Sequence, residues 1–145
     1  MTALDIFRIE GGFIIGGIEY DETVSPYECG LGWSVALEKG DFQGREGILR
    51  DREATTLRLT SVELESGGDE ATDAPILLDG QEIGFVTQAL VSPYRGGKTV
   101  GLAKVHEERN EPGTRIEARL GDQLVAGEIV RHPVYEPERK RAKES

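Results

Sequence analysis

Apolar residues recur at every second position over most of the chain after Ala54, and this spacing predicts β-strands. Leu57 and Leu59 alternate with polar residues, and the alternation then shifts by one residue at Thr60-Ser61, which indicates a β-bulge. Further strands are predicted over residues 76–78, 83–91, 100–105, 116–120 and 124–130. About six strands without a helical interruption predict a mainly β fold, either a small antiparallel β-barrel of Greek-key or jelly-roll type or a β-sandwich.

The first 54 residues follow a different pattern, which predicts a short α+β segment ahead of the barrel. Apolar residues at helical spacing predict a helix over residues 3–10, ended by Gly11 and Gly12. No capping residue is apparent before this helix, so we expect the chain to begin inside an element of a longer polypeptide. A second amphipathic helix is predicted from Asp41, as its N-cap, to about Glu53.

Charge and composition exclude several classes of function. The 145-residue chain carries 17 Lys+Arg against 27 Asp+Glu, a formal net charge of −10, and such a surface repels nucleic-acid phosphates. No apolar run approaches the ~18 residues that span a bilayer, and the first residues lack the order of a secretion signal. The single cysteine, Cys29, fits a reducing compartment. We therefore expect a cytoplasmic protein without nucleic-acid or membrane partners.

Candidate reactive residues do not form a complete catalytic set or a metal site. His106 and His132 have no cysteine or second histidine at ligand spacing, and Cys29 has no neighbouring base to lower its pKa. Cys29 is therefore expected to be a small buried residue. The stretch between Leu59 and Tyr94 contains seven acids and no Lys or Arg, but these acids lack calcium-loop spacing, so a solvated face is favoured over a cation site. These acids are Glu63, Glu65, Asp69, Glu70, Asp73, Asp79 and Glu82.

Ordered motifs along nearly the whole chain carry a resemblance to a known family. The first half contains RIEGG at 8–12, GGIE at 16–19, ETVSPYE at 22–28, GLGW at 30–33 and KGDFQGRE at 39–46. The second half contains APILLDGQEIGFVTQALVSP at 74–93, VGLAKV at 100–105 and PGTRIEARLGDQLVAGEIVRHPVY at 112–135. In this order the motifs resemble the C-terminal region of the glycine-cleavage T-protein (aminomethyltransferase) family.

The resemblance implies a tetrahydrofolate-dependent one-carbon transferase of three lobes around a central folate channel. It implies that residues 1–54 end the middle lobe, that 55–135 form the C-terminal barrel, and that 136–145 are a charged tail. The catalytic aspartate of the family lies in the N-terminal portion, so no catalytic residue is expected in this chain. The implied partners are an N-terminal folate-binding domain or subunit and the glycine-cleavage H-protein.

At the level of single residues, the resemblance singles out Trp33 as the candidate for cofactor binding, because it matches the GLGW tryptophan near the folate channel. Its alternative role is core packing between lobes. Leu4 stands where many members have an arginine that contacts folate. Leucine occurs there in relatives fused to sarcosine and dimethylglycine dehydrogenases and in demethylases. Asp41 replaces the cysteine of an iron-sulfur maintenance branch, which argues against that branch.

Two alternatives to a T-protein fragment stay open at this point. One is a stand-alone, non-catalytic binding or assembly module that docks on a separate folate-binding subunit through residues 13–18 and Trp33. The other is the C-terminal region of a related sarcosine or dimethylglycine dehydrogenase or demethylase.

Overall fold

Six antiparallel strands close into a barrel in the computed structural model, which describes residues 2–138. The strands are β1 (Leu57–Leu64), β2 (Pro75–Leu78), β3 (Gln81–Val91), β4 (Thr99–His106), β5 (Arg115–Leu120) and β6 (Gln123–Val130). Around the barrel they follow the order β1-β4-β3-β2-β5-β6. Strands β2, β3 and β4 are consecutive neighbours and β5 returns to lie beside β2, which is a Greek key. The predicted fold class is confirmed.

The barrel interior explains most of the predicted strands. Its core contains Val62, Ile76, Val86, Ile116 and Ile129, all nearly or fully buried. Within one strand the core residues lie two positions apart, as Val62 and Leu64 of β1 do, because alternate side chains of a strand point to opposite faces. The tight turn between β2 and β3 was also correctly predicted, since Asp79 and Gly80 both have positive φ, 51° and 80°.

The predicted bulge at Thr60-Ser61 is wrong. Strand β1 pairs with β4 without interruption, from Leu57 opposite His106 to Leu64 opposite Thr99. The apolar pattern shifts because a different face is covered: Leu59 packs in a second cluster outside the barrel, whereas Val62 packs inside. The register shifts lie elsewhere, at Ile76/Leu77 of β2 and between Val86 and Gln88 of β3.

Helix α1 (Ala3–Gly11) packs against the outer wall of the barrel. Contrary to expectation it has an N-cap: the backbone N–H of Asp5 donates to Thr2 Oγ1 at 3.3 Å, and the backbone N–H of Thr2 donates to the Asp5 carboxylate at 2.9 Å. As predicted, the helix ends at the glycine pair, with Gly12 in the left-handed conformation. The second apolar cluster joins it to the wall and contains Ile9, Leu90, Val100, Leu102 and Val134.

Helix α2 (Arg45–Ala54) begins four residues later than the predicted N-cap, Asp41. Gly44 occupies the N-cap with φ of 87° and gives no side-chain cap. Between the helices the chain is irregular, with 3₁₀ turns at Gly32–Ser34 and Leu37–Lys39. Within residues 2–138, none of the helices combines the length and apolar character needed to cross a bilayer. The predicted charged tail, 136–145, lies outside the described residues from 139 onward.

Candidate functional site

Trp33, the candidate for cofactor binding, lies on the 3₁₀ turn Gly32–Ser34 with 83% of its surface exposed. The turn rests on Tyr27: a Cβ added at Gly32 would come within 2.6 Å of a carbon of the Tyr27 ring. Ser34 Oγ donates a 2.7 Å hydrogen bond to the carbonyl of Leu31. The indole is therefore not part of a core formed by residues 2–138. It is open to contact with a ligand or with another lobe.

Other large apolar side chains of the first third of the chain are also exposed. We call them the exposed apolar set: Leu4, Phe7, Phe13, Ile15, Ile18, Tyr20, Leu31 and Trp33. Leu4 and Phe7 are 74% and 68% exposed, although the same helix buries Ile9 completely. Because α1 already packs on the barrel through Ile9, these two residues present a second apolar face to the outside. Such a surface is typical of a protein–protein or domain interface.

Helix α2 also lies at the surface, but it is mostly charged. None of its residues is fully buried, and its apolar anchors Ile48 and Leu49 are only half-buried. Arg45 Nε donates to the carbonyl of Leu37 at 3.2 Å, and the Arg52 guanidinium lies 5.8 Å from the centre of the Tyr27 ring. These contacts hold α2 at the surface, and within the described part of the chain no element covers it.

A buried ion pair joins the N-terminal segment to the barrel. Arg8 lies in α1 and donates to the Glu19 carboxylate at 2.9 Å, and both side chains are almost or entirely excluded from solvent. Arg8 also donates to Gln88 of β3, and Thr87 of the same strand donates to Glu19 at 2.9 Å. Arg8 and Glu19 stand in the RIEGG and GGIE motifs, so the sequence showed them as family markers without revealing this pairing.

Two further contacts, one buried and one partly buried, attach the same segment to the barrel. Ser92 Oγ donates a 2.5 Å hydrogen bond to the Glu10 carboxylate, and Lys104 Nζ donates one of 2.6 Å to the Glu28 carboxylate. The Glu10 carbonyl in turn accepts from the backbone N–H of Tyr135 at 2.7 Å. Throughout residues 2–138 every buried side-chain nitrogen or oxygen has a hydrogen-bond partner. These charged motif residues therefore act as structural joints between segment and barrel.

The acidic stretch of the barrel is not solvated throughout. Glu63 is buried, whereas its neighbour Glu65 is exposed. Arg95 and Lys98, from the connection between β3 and β4, both pair with the Glu63 carboxylate, Lys98 at 3.0 Å. Burial alone raises the pKa of Glu63, but hydrogen bonds from Arg95 and Lys98 outweigh burial and hold that pKa below its ordinary value. The solvated-face prediction is thus wrong for Glu63, because its cationic partners are distant in sequence.

Cys29 and His132 are placed as structural residues and not as reactive groups. Cys29 is buried, as predicted, and burial raises the pKa of its thiol, which makes it a poor nucleophile. The His132 ring is hydrogen-bonded through Nδ1 to Ser61 Oγ at 2.8 Å, and burial lowers the His132 pKa. No group of three or more His, Cys, Asp or Glu side chains among residues 2–138 is placed to hold a metal ion.

A groove of about 460 Å³ on the barrel wall differs from the exposed apolar set in the character of its lining. Acids dominate its charged lining, which consists of Glu63, Glu65, Asp79, Glu117 and Glu128 with Lys98 and Arg115. Its lining includes no aromatic side chain on which a flat ring could stack. The exposed apolar set, which includes Trp33, is therefore the better candidate for contact with an aromatic cofactor.

Comparison with known proteins assigns the barrel to a protein family. Residues 58–136 match the model of the glycine cleavage T-protein C-terminal barrel domain. An aminomethyltransferase of Thermosipho melanesiensis is 35% identical over 136 residues, which are 93% of this chain and 37% of that protein. A trimethylamine-oxide aldolase of Ruegeria pomeroyi is 32% identical over 146 residues, 97% of this chain and 18% of that protein.

A solved structure supports the fold. The glycine cleavage system aminomethyltransferase T from Bartonella henselae superposes with a TM-score of 0.81 at 22% identity, over 93% of this chain and 38% of that one. In each of these comparisons the chain spans less than two fifths of the length of the relative. The matched region is therefore part of a larger protein in these relatives.

Proposed function

Because the chain belongs to the family of the glycine cleavage T-protein C-terminal barrel domain, we propose that it is the C-terminal portion of a tetrahydrofolate-dependent, aminomethyltransferase-like one-carbon transferase. In this role residues 1–54 complete the middle lobe and residues 55–135 form the barrel. Together they close one side of the folate channel. The N-terminal domain or subunit supplies the catalytic aspartate and the polar groups that hold the pterin, and the H-protein is a further partner.

The exposed apolar set is the observation that carries this proposal. Eight large apolar side chains within residues 4–33 face outward, although the barrel has a fully buried core. Leaving such side chains in water forgoes about 1.5–3 kcal/mol each relative to full burial. A covering surface is therefore favoured, and in the relatives the rest of a longer polypeptide is present to supply it.

Tetrahydrofolate fits the chemistry of Trp33. The pyrimidine ring of the reduced pterin and the benzoyl ring are flat, and an exposed indole held on a fixed turn offers a matching flat surface. When bound, the folate supplies the nitrogen that accepts the one-carbon unit. Trp33 contributes orientation and exclusion of water, with no proton transfer of its own, because an indole N–H is a donor only.

Calorimetry with tetrahydrofolate tests the proposal. The isolated chain is expected to give no saturable binding, since it forms only one wall of the channel. In the complete transferase, Trp33→Ala is expected to raise the Kd roughly tenfold, equivalent to about 1.4 kcal/mol. Trp33→Phe, which keeps an aromatic ring, serves as the matched control and should lose less affinity. Tight binding by the isolated chain, or an unchanged Kd in Trp33→Ala, would contradict the proposal.

The position of Leu4 favours a second candidate, a transferase of the same family acting on a different one-carbon donor. Leu4 is exposed where many family members have an arginine, and a trimethylamine-oxide aldolase is among the relatives. The N-methyl carbon of sarcosine or dimethylglycine is two electrons more reduced than a methylene unit, so an assay of these donors with an added two-electron acceptor, against the aminomethylated H-protein, distinguishes the two. Turnover with an N-methyl donor alone supports the second candidate.

A further inference from the structure

The β-bulge of β3 changes the direction of two side chains. Val86 pairs with Ala103 of β4, and Gln88 pairs with Leu102, which directly precedes Ala103 in the chain. Thr87 therefore has no partner residue on β4 and is the extra residue of the bulge. Consecutive side chains of a regular strand point to opposite faces. Here Thr87 and Gln88 both contact the N-terminal segment outside the barrel, whereas Val86 lies in the interior core. The bulge thus places two polar groups side by side on the outer wall.

Thr87 and Gln88 form hydrogen bonds with the buried ion pair of Arg8 and Glu19. Gln88 accepts from Arg8, and Thr87 donates to Glu19 at 2.9 Å. The carboxylate of Glu19 also accepts from the guanidinium of Arg8 and from the backbone N–H of Ile15, both at 2.9 Å. Its three donors therefore come from helix α1, from its own loop and from the barrel. A carboxylate with no exposed surface is costly unless it is paired in this way.

Glu19 is the only buried residue of the loop 13–20. The large apolar residues Phe13, Ile15, Ile18 and Tyr20 are exposed, so burial of apolar surface within this chain does little to hold the loop. A backbone hydrogen bond from Gly17 to the carbonyl of Tyr20, at 2.8 Å, shapes its tip but does not attach it to the barrel. Two groups therefore attach the loop. Arg8 Nη1 donates to the carbonyl of Phe13 at 3.0 Å at the start of the loop, and the Glu19 carboxylate, through its bond with Thr87, joins the end of the loop directly to the barrel.

We propose that Glu19 is a positioning residue. Through Arg8 and Thr87 it fixes the loop 13–20 on the barrel wall, so that the exposed apolar side chains of the loop are preset for docking with the N-terminal portion of the transferase. The identity of that partner rests on the proposed function, whereas the fixed loop is a property of this chain alone. Presetting the loop lowers the ordering cost of the docking step.

Amide hydrogen exchange of the whole chain tests the proposal with Glu19→Ala and the conservative Glu19→Gln. The backbone amides of Ile15 and Gly17 are expected to exchange roughly tenfold faster in Glu19→Ala. Glu19→Gln should restore part of the protection, since its amide oxygen has two lone pairs and can still accept the two hydrogen bonds from Arg8 and Ile15. The amides of β4 should change by less than about twofold in both variants. Equal acceleration in loop and barrel, or no acceleration in the loop, would overturn the proposal.

A second variant tests the link through the bulge. Thr87→Val removes the hydroxyl at nearly constant volume and should also accelerate exchange at Ile15. Thr114→Val is the matched control, because Thr114 Oγ1 donates to the carbonyl of Glu111 in an exposed turn of the barrel. In the double variant of Glu19→Gln and Thr87→Val, exchange should be little faster than in Glu19→Gln alone. Fully additive effects would show that hydroxyl and carboxylate act independently and would overturn the link.

Failure of this proposal is distinguishable from failure of the proposed function. The exchange measurement needs neither folate nor a partner, whereas the calorimetric test of Trp33 needs both. If amide exchange in the loop does not depend on Glu19 while Trp33→Ala still raises the Kd for tetrahydrofolate, only the role of Glu19 is overturned. If the Glu19 variants accelerate exchange in the loop while Trp33→Ala leaves the Kd for tetrahydrofolate unchanged, the folate role of Trp33 is overturned and the positioning role of Glu19 stands.

Discussion

Lys104 and Glu28 form an ion pair of 2.6 Å between strand β4 and the segment that precedes the barrel. The Lys104 side chain is 6% exposed and that of Glu28 is 25% exposed, so both charges are largely withdrawn from water. The carbonyl of Glu28 also accepts from the backbone N–H of Leu59 at 2.9 Å. One residue of the ETVSPYE motif therefore binds two neighbouring strands of the barrel at once.

We expect Lys104→Met to destabilise the protein by about 1–3 kcal/mol, because it leaves the Glu28 carboxylate partly buried without its partner. The matched control is Arg58→Met, which breaks the more exposed pair between Arg58 and Glu107 and should cost less than about 1 kcal/mol. Denaturant unfolding measures both values. Equal losses in the two variants would contradict a special contribution of the Lys104 pair.

Gly84 in β3 lies where two backbones approach closely. A Cβ added there would come within 2.1 Å of the carbonyl oxygen of Lys104. We therefore expect Gly84→Ala to destabilise the barrel by more than about 2 kcal/mol, since backbone must move to relieve the overlap. Gly47 in α2 has open space around its Cα, so Gly47→Ala should stabilise by about 0.5–1 kcal/mol. Thermal unfolding of the two variants should shift the midpoint in opposite directions.

Glu63 should make stability sensitive to acid. Its pKa in the folded chain lies below the ordinary value of 4.5, so the unfolded chain takes up the proton first as the pH falls. The stabilisation is complete above pH 4.5 and is lost as the pH falls through the lower folded value. The free energy of unfolding should thus drop less between about pH 5 and pH 3 in Glu63→Gln than in the unchanged chain. Glu65→Gln at the exposed neighbouring position is the control.

His132 should make the stability of the folded chain depend on pH in a second, less acidic range. Burial lowers its pKa from the ordinary 6.5, so below pH 6.5 the unfolded chain binds the proton more readily than the folded chain. Stability should therefore fall as the pH decreases from 6.5 towards the folded pKa. Urea unfolding at about pH 7.5 and pH 5.5 should show a smaller difference in His132→Asn than in His106→Asn. The same difference in both variants would rule out His132 as the source.

The barrel could be predicted from the sequence because its strands bury one side in a single core, which imposes period two on residues such as Ile116 and Ala118. The bulge was misplaced because Leu59 and Val62 are buried on opposite faces of one continuous strand. A chain covered on both faces loses the simple alternation on which the prediction depends.

The buried joints could not be predicted because their partners are far apart in sequence. Glu19 meets Thr87 across 68 positions, and Arg8 meets Gln88 across 80. Charged residues beside glycine turns are typical of solvent exposure, so burial of Arg8 and Glu19 has no local signature. The motifs located the family correctly while the physical role of these residues appeared only in three dimensions. The role of Trp33 in folate binding stays a prediction.

Closure of the barrel also determines how this chain can associate. Each of the six strands is hydrogen-bonded to a neighbour on both sides, so within residues 2–138 the barrel offers no open edge to which a foreign strand could add. Self-association of the isolated chain must then proceed through side-chain contacts, and most of the large exposed apolar side chains lie in the segment before the barrel. Surface substitutions there, for example Phe7→Lys, should therefore improve its solubility without disturbing the β-sheet.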